Sequence, residues 1–174
     1  MRITDLLKAC SVELNGTPQT KEETIKQMVA LMEKGGNVTD VEKYKAGVFA
    51  REEEGTTGIG EGIAIPHAKT DAVNAPGLAA MVIPAGVDYD ALDGQPVDLV
   101  FLIAAPNTED NVHLEVLSRL SVLLMDEQFT KDLMQAKSPE DFLHVIDLAE
   151  ADKEEKEEAK AEAEKAEVGE ETFV

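Results

Sequence analysis

The chain has 174 residues, 43% of them hydrophobic and 30% charged, enough for one globular domain with a real core. Thirty-six acidic against sixteen basic side chains give a net charge of −20, which disfavours nucleic acid and anionic membrane surfaces as partners and leaves a basic protein partner open. The lone Cys10 cannot form an intramolecular disulfide; a reducing, cytoplasmic setting fits, and no stretch approaches the ~18 apolar residues of a membrane span. Seven aromatic residues and no Trp point to a core of Val, Ile, Leu, Met and Ala, suited to helices stacked on a sheet.

In chain order, Thr20-Lys-Glu-Glu23 is a capping box. It opens a helix with Ile25, Met28, Val29 and Met32 on one face, stopped at Gly35-Gly36. Asp40 caps a second helix to about Arg51, with Val41, Tyr44, Val48 and Phe49 inward. Residues 58–66 read as a strand, and Leu78–Pro84 and Val97–Ala105 as buried strands bounded by Gly, Pro and Asp. Thr108 caps a long helix with Val112, Val116, Leu117, Leu120, Leu123 and Leu124 inward. Ser138-Pro139-Glu140-Asp141 opens a last helix through about Leu148.

Strands in the middle with helices before and after predict a single layered α/β domain over residues 1–149. Residues 150–174 hold eleven acids and four lysines and offer nothing large and apolar to bury before Val168. They read as a solvated, partly helical tail or an interdomain linker.

The most unusual stretch is Gly55-Thr-Thr-Gly-Ile-Gly60-Glu-Gly-Ile-Ala-Ile65-Pro-His67-Ala-Lys69. It lacks the last glycine of a dinucleotide fingerprint and the Gly-Lys-Ser/Thr of a P-loop, so nucleotide binding is disfavoured. A glycine-rich turn before an ordinary strand accounts for the spacing equally well. Of three histidines, His144 lies opposite Phe142 and Ile146 on its helix and is expected in solvent. His113 shares a stripe with Leu117, Leu120 and Leu124, where a satisfied core histidine remains an alternative to a site residue. His67 follows Pro66, which suits a strand end from which a ring projects.

No nucleophile elbow is present. One cysteine cannot complete a zinc-deaminase pattern, and no metal-ligand spacing or cofactor signature emerges. What survives is nucleophilic catalysis by a histidine that carries a phosphoryl group. Such a site needs one lone-pair nitrogen, a hydrogen bond fixing the tautomer, and a cation for the phosphoryl oxygens. Arg51 is the candidate cation, with a surface ion pair to Glu52–Glu54 as its alternative role.

Phe49-Ala-Arg51-Glu52, the glycine run through His67-Ala-Lys69, and His113-Leu-Glu-Val-Leu-Ser-Arg-Leu120 together resemble the fructose/mannitol-type enzyme IIA domain of the bacterial phosphoenolpyruvate:sugar phosphotransferase system. The likeness covers residues 1–148 and is nearest to fructose-specific members. It implies a mixed β-sheet of about five strands flanked by helices on both faces. It further implies a phosphotransferase in which His67 accepts a phosphoryl group from phospho-HPr and passes it to a cysteine of the sugar-specific enzyme IIB. Arg51 and His113 would surround the phosphohistidine, with Glu61 matching a polar position nearby.

No IIB-type cysteine loop follows, so the acidic tail is expected to be a linker towards IIB and membrane IIC domains if the chain is part of a larger transporter. The acidic balance suits steering towards a basic HPr surface. The other function weighed is a nitrogen-type regulatory enzyme IIA, whose phosphohistidine controls protein binding with no sugar moved.

Overall fold

The computed structural model describes residues 1–108 and 112–171, with the side chains of residues 112–113 and 165–171 outside that description. The elements run α1 (Ile3–Leu6), β1 (Leu7–Glu13), α2 (Lys21–Lys34), α3 (Val41–Glu54), β2 (Gly58–Gly60), β3 (Ile63–Ala64) and β4 (His67–Thr70). They continue with β5 (Gly77–Val87), β6 (Val97–Pro106), α4 (Val112–Leu124), α5 (Glu127–Met134) and α6 (Pro139–Glu171).

One mixed sheet has the order β1-β5-β6-β3-β2, and β4 also pairs with β6. β5 and β6 run antiparallel at the centre. β1 is parallel to β5, and β3 and β4 lie in turn along β6, both parallel to it. The sheet is apolar on both faces because strand side chains alternate and helices cover each side. On β5, Ala79, Met81 and Ile83 join the cluster of Ile25, Met28, Met32, Tyr44 and Val48 from α2 and α3. Their neighbours Leu78, Ala80 and Val82 join Leu120, Phe129, Leu133, Phe142 and Ile146 from the later helices. A slip of one residue would exchange these two sets, so the pattern fixes the register.

The caps act as the sequence predicts, with one difference. Thr20 Oγ1 accepts from the Glu23 N–H at 3.0 Å, but Glu23 returns its carboxylate to the Gln19 N–H at 2.7 Å, one residue before the N-cap. Asp40 Oδ1 accepts from the Lys43 N–H at 3.1 Å, and Ser138 Oγ from the Asp141 N–H at 3.0 Å. The cap expected at Thr108 would use amides that lie outside the described residues.

Four segments differ from expectation. Residues 58–66 are two short antiparallel strands, β2 and β3, rather than one. The chain reverses between them at Glu61 and Gly62, whose φ angles of 58° and 78° suit a tight hairpin turn. The last helix does not stop near Leu148; α6 continues to Glu171, because Ala, Glu and Lys are strong helix formers and pairs such as Lys156–Asp152, 3.0 Å apart, support it. β1 and α5 carry no periodic pattern strong enough to announce them; α5 starts where Asp126 Oδ1 accepts from the Gln128 N–H at 2.9 Å. Among the described residues, no helix is long and apolar enough to cross a membrane.

Candidate functional site

His67 is the first residue of β4 and pairs with Ile103 of β6. Its ring is half-buried. Nδ1 lies 2.9 Å from the Ile65 carbonyl oxygen. A carbonyl can only accept, so Nδ1 carries the proton of the neutral ring and Nε2 keeps its lone pair. The ring lines a cavity of about 460 Å³ together with Arg51, Thr57, Ile59, Lys69 and, from α4, Leu117.

Arg51 comes from the last turn of α3, and its Nη1 donates to the Gly55 carbonyl at 2.9 Å. This contact folds the guanidinium back over the start of the glycine run and into the cavity that His67 lines. The cavity therefore holds a nitrogen nucleophile and a permanent cation with apolar walls, an arrangement able to bind and transfer an anionic group.

His113 lies in the first turn of α4, immediately before Leu114, which lines the same cavity; its side chain falls outside the described residues. Glu61 is placed elsewhere. It sits in the β2–β3 turn, donates its N–H to Asp93 Oδ2 at 3.1 Å, and lines a neighbouring cavity of about 760 Å³ with Asp98 and Lys131. The two cavities share Ile59. His144 faces solvent as expected. Among the described residues, no three His, Cys, Asp or Glu side chains converge as metal ligands would.

The alternative role weighed for Arg51 is a surface ion pair with Glu52–Glu54. The structure buries Glu52, 9% exposed, and pairs its Oε2 with the Lys21 ammonium at 2.8 Å. Oε1 accepts from the Tyr89 hydroxyl at 3.0 Å and from the Thr57 hydroxyl. Burial alone would raise the Glu52 carboxyl; the hydrogen bonds from Lys21, Thr57 and Tyr89 outweigh it and hold the group below the ordinary glutamate value. Tyr89, itself buried, is pushed well above the ordinary phenol range, chiefly by desolvation. A signal for Glu52 existed: Tyr44, Val48 and Glu52 recur at four-residue spacing, so Glu52 continues the buried stripe of α3.

Mixed sheet, helices on both faces and a histidine at the start of an edge segment beside an arginine define a class of α/β domains built around one histidine-bearing cleft. The model of the family described as phosphoenolpyruvate-dependent sugar phosphotransferase system, EIIA 2, matches residues 5–148. The chain belongs to this family, a phosphotransfer component of that system.

The fructose-specific EIIABC component of Bacillus subtilis (strain 168) is 47% identical over 146 residues, covering 84% of this chain. The chain spans only 23% of that relative's length. Among solved structures, the nitrogen regulatory protein IIA-Ntr from Neisseria meningitidis superposes with a TM-score of 0.75 at 29% identity, over 82% of this chain and 97% of that one. A chain of the complex of enzyme IIAMTL with phosphorylated enzyme IIBMTL from Escherichia coli gives 0.69 at 30% identity, over 81% and 98%.

Proposed function

We propose that this protein is a cytoplasmic phosphoryl carrier of a sugar phosphotransferase system, fructose being the favoured sugar. His67 Nε2 attacks the phosphorus of phospho-HPr, the new N–P bond forming as the bond to the donor histidine breaks. The ring gains positive charge as it does so, and the Nδ1–H bond to Ile65 strengthens in response. Arg51 offsets the charge on the phosphoryl oxygens, and His113, in the first turn of α4, is the second histidine of the proposed site. A cysteine thiolate of enzyme IIB then attacks the same phosphorus and returns the lone pair to Nε2. Glu61 lines the neighbouring cavity, which shares Ile59 with this one, and is kept as a polar residue beside the proposed site rather than in contact with the phosphoryl group.

The observation that carries the reading is the 2.9 Å contact of His67 Nδ1 with the Ile65 carbonyl, which leaves Nε2 free in the cavity that Arg51 lines. The similarity to a fructose-specific relative favours the sugar, and the complex of IIAMTL with phosphorylated IIBMTL favours the acceptor. Incubation with phosphoenolpyruvate, enzyme I and HPr is expected to add ~80 Da, one acid-labile phosphoryl group, to the wild type and nothing to His67→Ala. No gain in the wild type would sink the carrier role.

The likeness to the Neisseria nitrogen regulatory protein favours a second reading, in which the same phosphohistidine governs protein binding. Phosphorylated protein that fails to charge any fructose-type IIB would favour it.

A further inference from the structure

A continuous chain of hydrogen bonds runs behind the cavity and ends on the histidine ring. Glu52 Oε2 accepts from the Thr57 backbone N–H at 3.2 Å, while Oε1 holds the Thr57 hydroxyl. The Thr57 carbonyl accepts from the Ile65 N–H at 3.0 Å. The Ile65 carbonyl accepts from His67 Nδ1 at 2.9 Å. We infer that Glu52 is a positioning residue that fixes the tautomer and ring orientation of His67 through Thr57 and Ile65; its catalytic part rests on the carrier reading above.

The sheet does not do this work on its own. Ladder pairing along β6 covers Ile63 and Ala64, then resumes at His67, so Ile65 falls in the gap. Its N–H goes to Thr57 instead, and Thr57 belongs to neither α3 nor β2. Thr57 is held from behind by a single carboxylate that takes its N–H and its hydroxyl together while also binding Lys21 and Tyr89. Lys21 sits over the Tyr89 ring, 4.8 Å from its centroid, and so braces both partners of the carboxylate.

Burying an ion pair is a poor way to add stability, because desolvation offsets the attraction. Four acceptor sites on one rigid group are a good way to hold a loop. The two neutral imidazole tautomers differ little in energy by themselves, so the position of the Ile65 carbonyl decides which one forms.

The test is long-range ¹H–¹⁵N NMR of the histidine rings at pH ~8.5, where imidazole is neutral, for the wild type, Glu52→Ala, Glu52→Gln and Tyr89→Phe. Circular dichroism and the solvent-facing His144 signals check the fold. The wild type should show protonated Nδ1 and bare Nε2 at His67. Glu52→Ala should move both nitrogens towards a mixed-tautomer average, and Tyr89→Phe should move them part of the way. Glu52→Gln should fall between Glu52→Ala and the wild type, because its amide oxygen still accepts from the Thr57 and Tyr89 hydroxyls while its NH2 cannot accept from the Thr57 N–H. This readout needs no phosphoryl donor, so it stands or falls apart from the carrier role.

In transfer from phospho-HPr, Glu52→Ala should lower kcat by about 10- to 100-fold, the scale of a misplaced nucleophile, with KM within about twofold because Glu52 touches no surface a partner could reach. A folded Glu52→Ala protein with wild-type His67 shifts overturns the inference, as does a rise in KM at unchanged kcat. If Glu52→Ala does not fold, Tyr89→Phe carries the test, and wild-type shifts and kcat in that variant overturn it equally.

Discussion

Among the described residues two carboxylates are buried, Glu52 and Glu150, and they serve opposite faces of the sheet. Glu52, on α3, gathers Lys21, Tyr89 and the loop at Thr57. Glu150, 1% exposed on α6, accepts from the Ile3 N–H at 2.8 Å and from Arg119 Nε at 3.1 Å. The physics is the same in both: a desolvated anion made tolerable by a cation and directed N–H groups. The surroundings differ. Every partner of Glu150 belongs to a helix that is already packed, α1 or α4, whereas Glu52 holds a loop that feeds the histidine. A buried acid among rigid elements ties packed helices together, so that losing it strands its partners; the same device behind a loop sets geometry.

The largest effect expected is therefore at the end remote from chemistry. Glu150→Ala leaves Arg119 without its buried partner and the Ile3 N–H without an acceptor, which should cost about 3–5 kcal/mol. For a domain of this size that is a drop in Tm of roughly 6–20 °C, read by calorimetry. In the fraction that stays folded, phosphorylation of His67 should run at the wild-type rate. A slowed rate there would break the contrast between the two acids.

An intermediate effect is expected at Gly62, on the other side of the site loop from Glu52. Gly62 has φ +78°, and a Cβ added there would lie 2.6 Å from Asp98 Oδ1. Gly62→Ala should cost about 1–3 kcal/mol through backbone strain and that clash. The hairpin it distorts leads into β3 and on to Ile65. If Glu52 and Thr57 hold Ile65, the variant should melt earlier while His67 keeps its tautomer. A tautomer change as large as that of Glu52→Ala would assign the bracing to the hairpin instead.

The contrast also explains what the sequence disclosed. Helix caps and apolar stripes act locally, so Thr20, Asp40 and Ser138 announce their helices without help from the rest of the chain. The β5 and β6 cores are legible for the same reason, being apolar runs between breakers. β1 is not, because its residues Leu7–Glu13 mix buried and exposed positions without alternation and become a strand only by lying against β5. Glu150 looked like the start of a solvated tail because composition around it is uniformly Ala, Glu and Lys; only its distance from Ile3 and Arg119 in space tells otherwise. His67 and Arg51 could be picked out from motif chemistry. Their common cavity and the bracing of Glu52 by Tyr89, 37 residues away, are invisible to a local pattern, and the route from Glu52 to the ring steps through loop contacts 5, 8 and 2 residues apart that have no helical or strand period.

The smallest effect expected concerns acid, and it separates Glu52 as an anion from Glu52 as a shape. Its carboxyl is held below the ordinary glutamate value of 4.5 in the folded protein, desolvation being outweighed by bonds from Lys21, Thr57 and Tyr89. With the folded value depressed, the unfolded chain binds the proton more readily. The stabilisation from the anion is complete above the ordinary value and is lost as pH falls through the folded one. Glu52→Gln keeps the shape and an acceptor oxygen for the Thr57 and Tyr89 hydroxyls, loses the charge, and has no proton to take up. Urea unfolding followed from pH 7 to pH 3 should show the wild type losing stability more steeply below pH 4.5 than this variant, although the wild type is the more stable at neutrality. Parallel curves would mean that Glu52 holds the loop without its charge, and that Lys21 is there for packing on the Tyr89 ring alone.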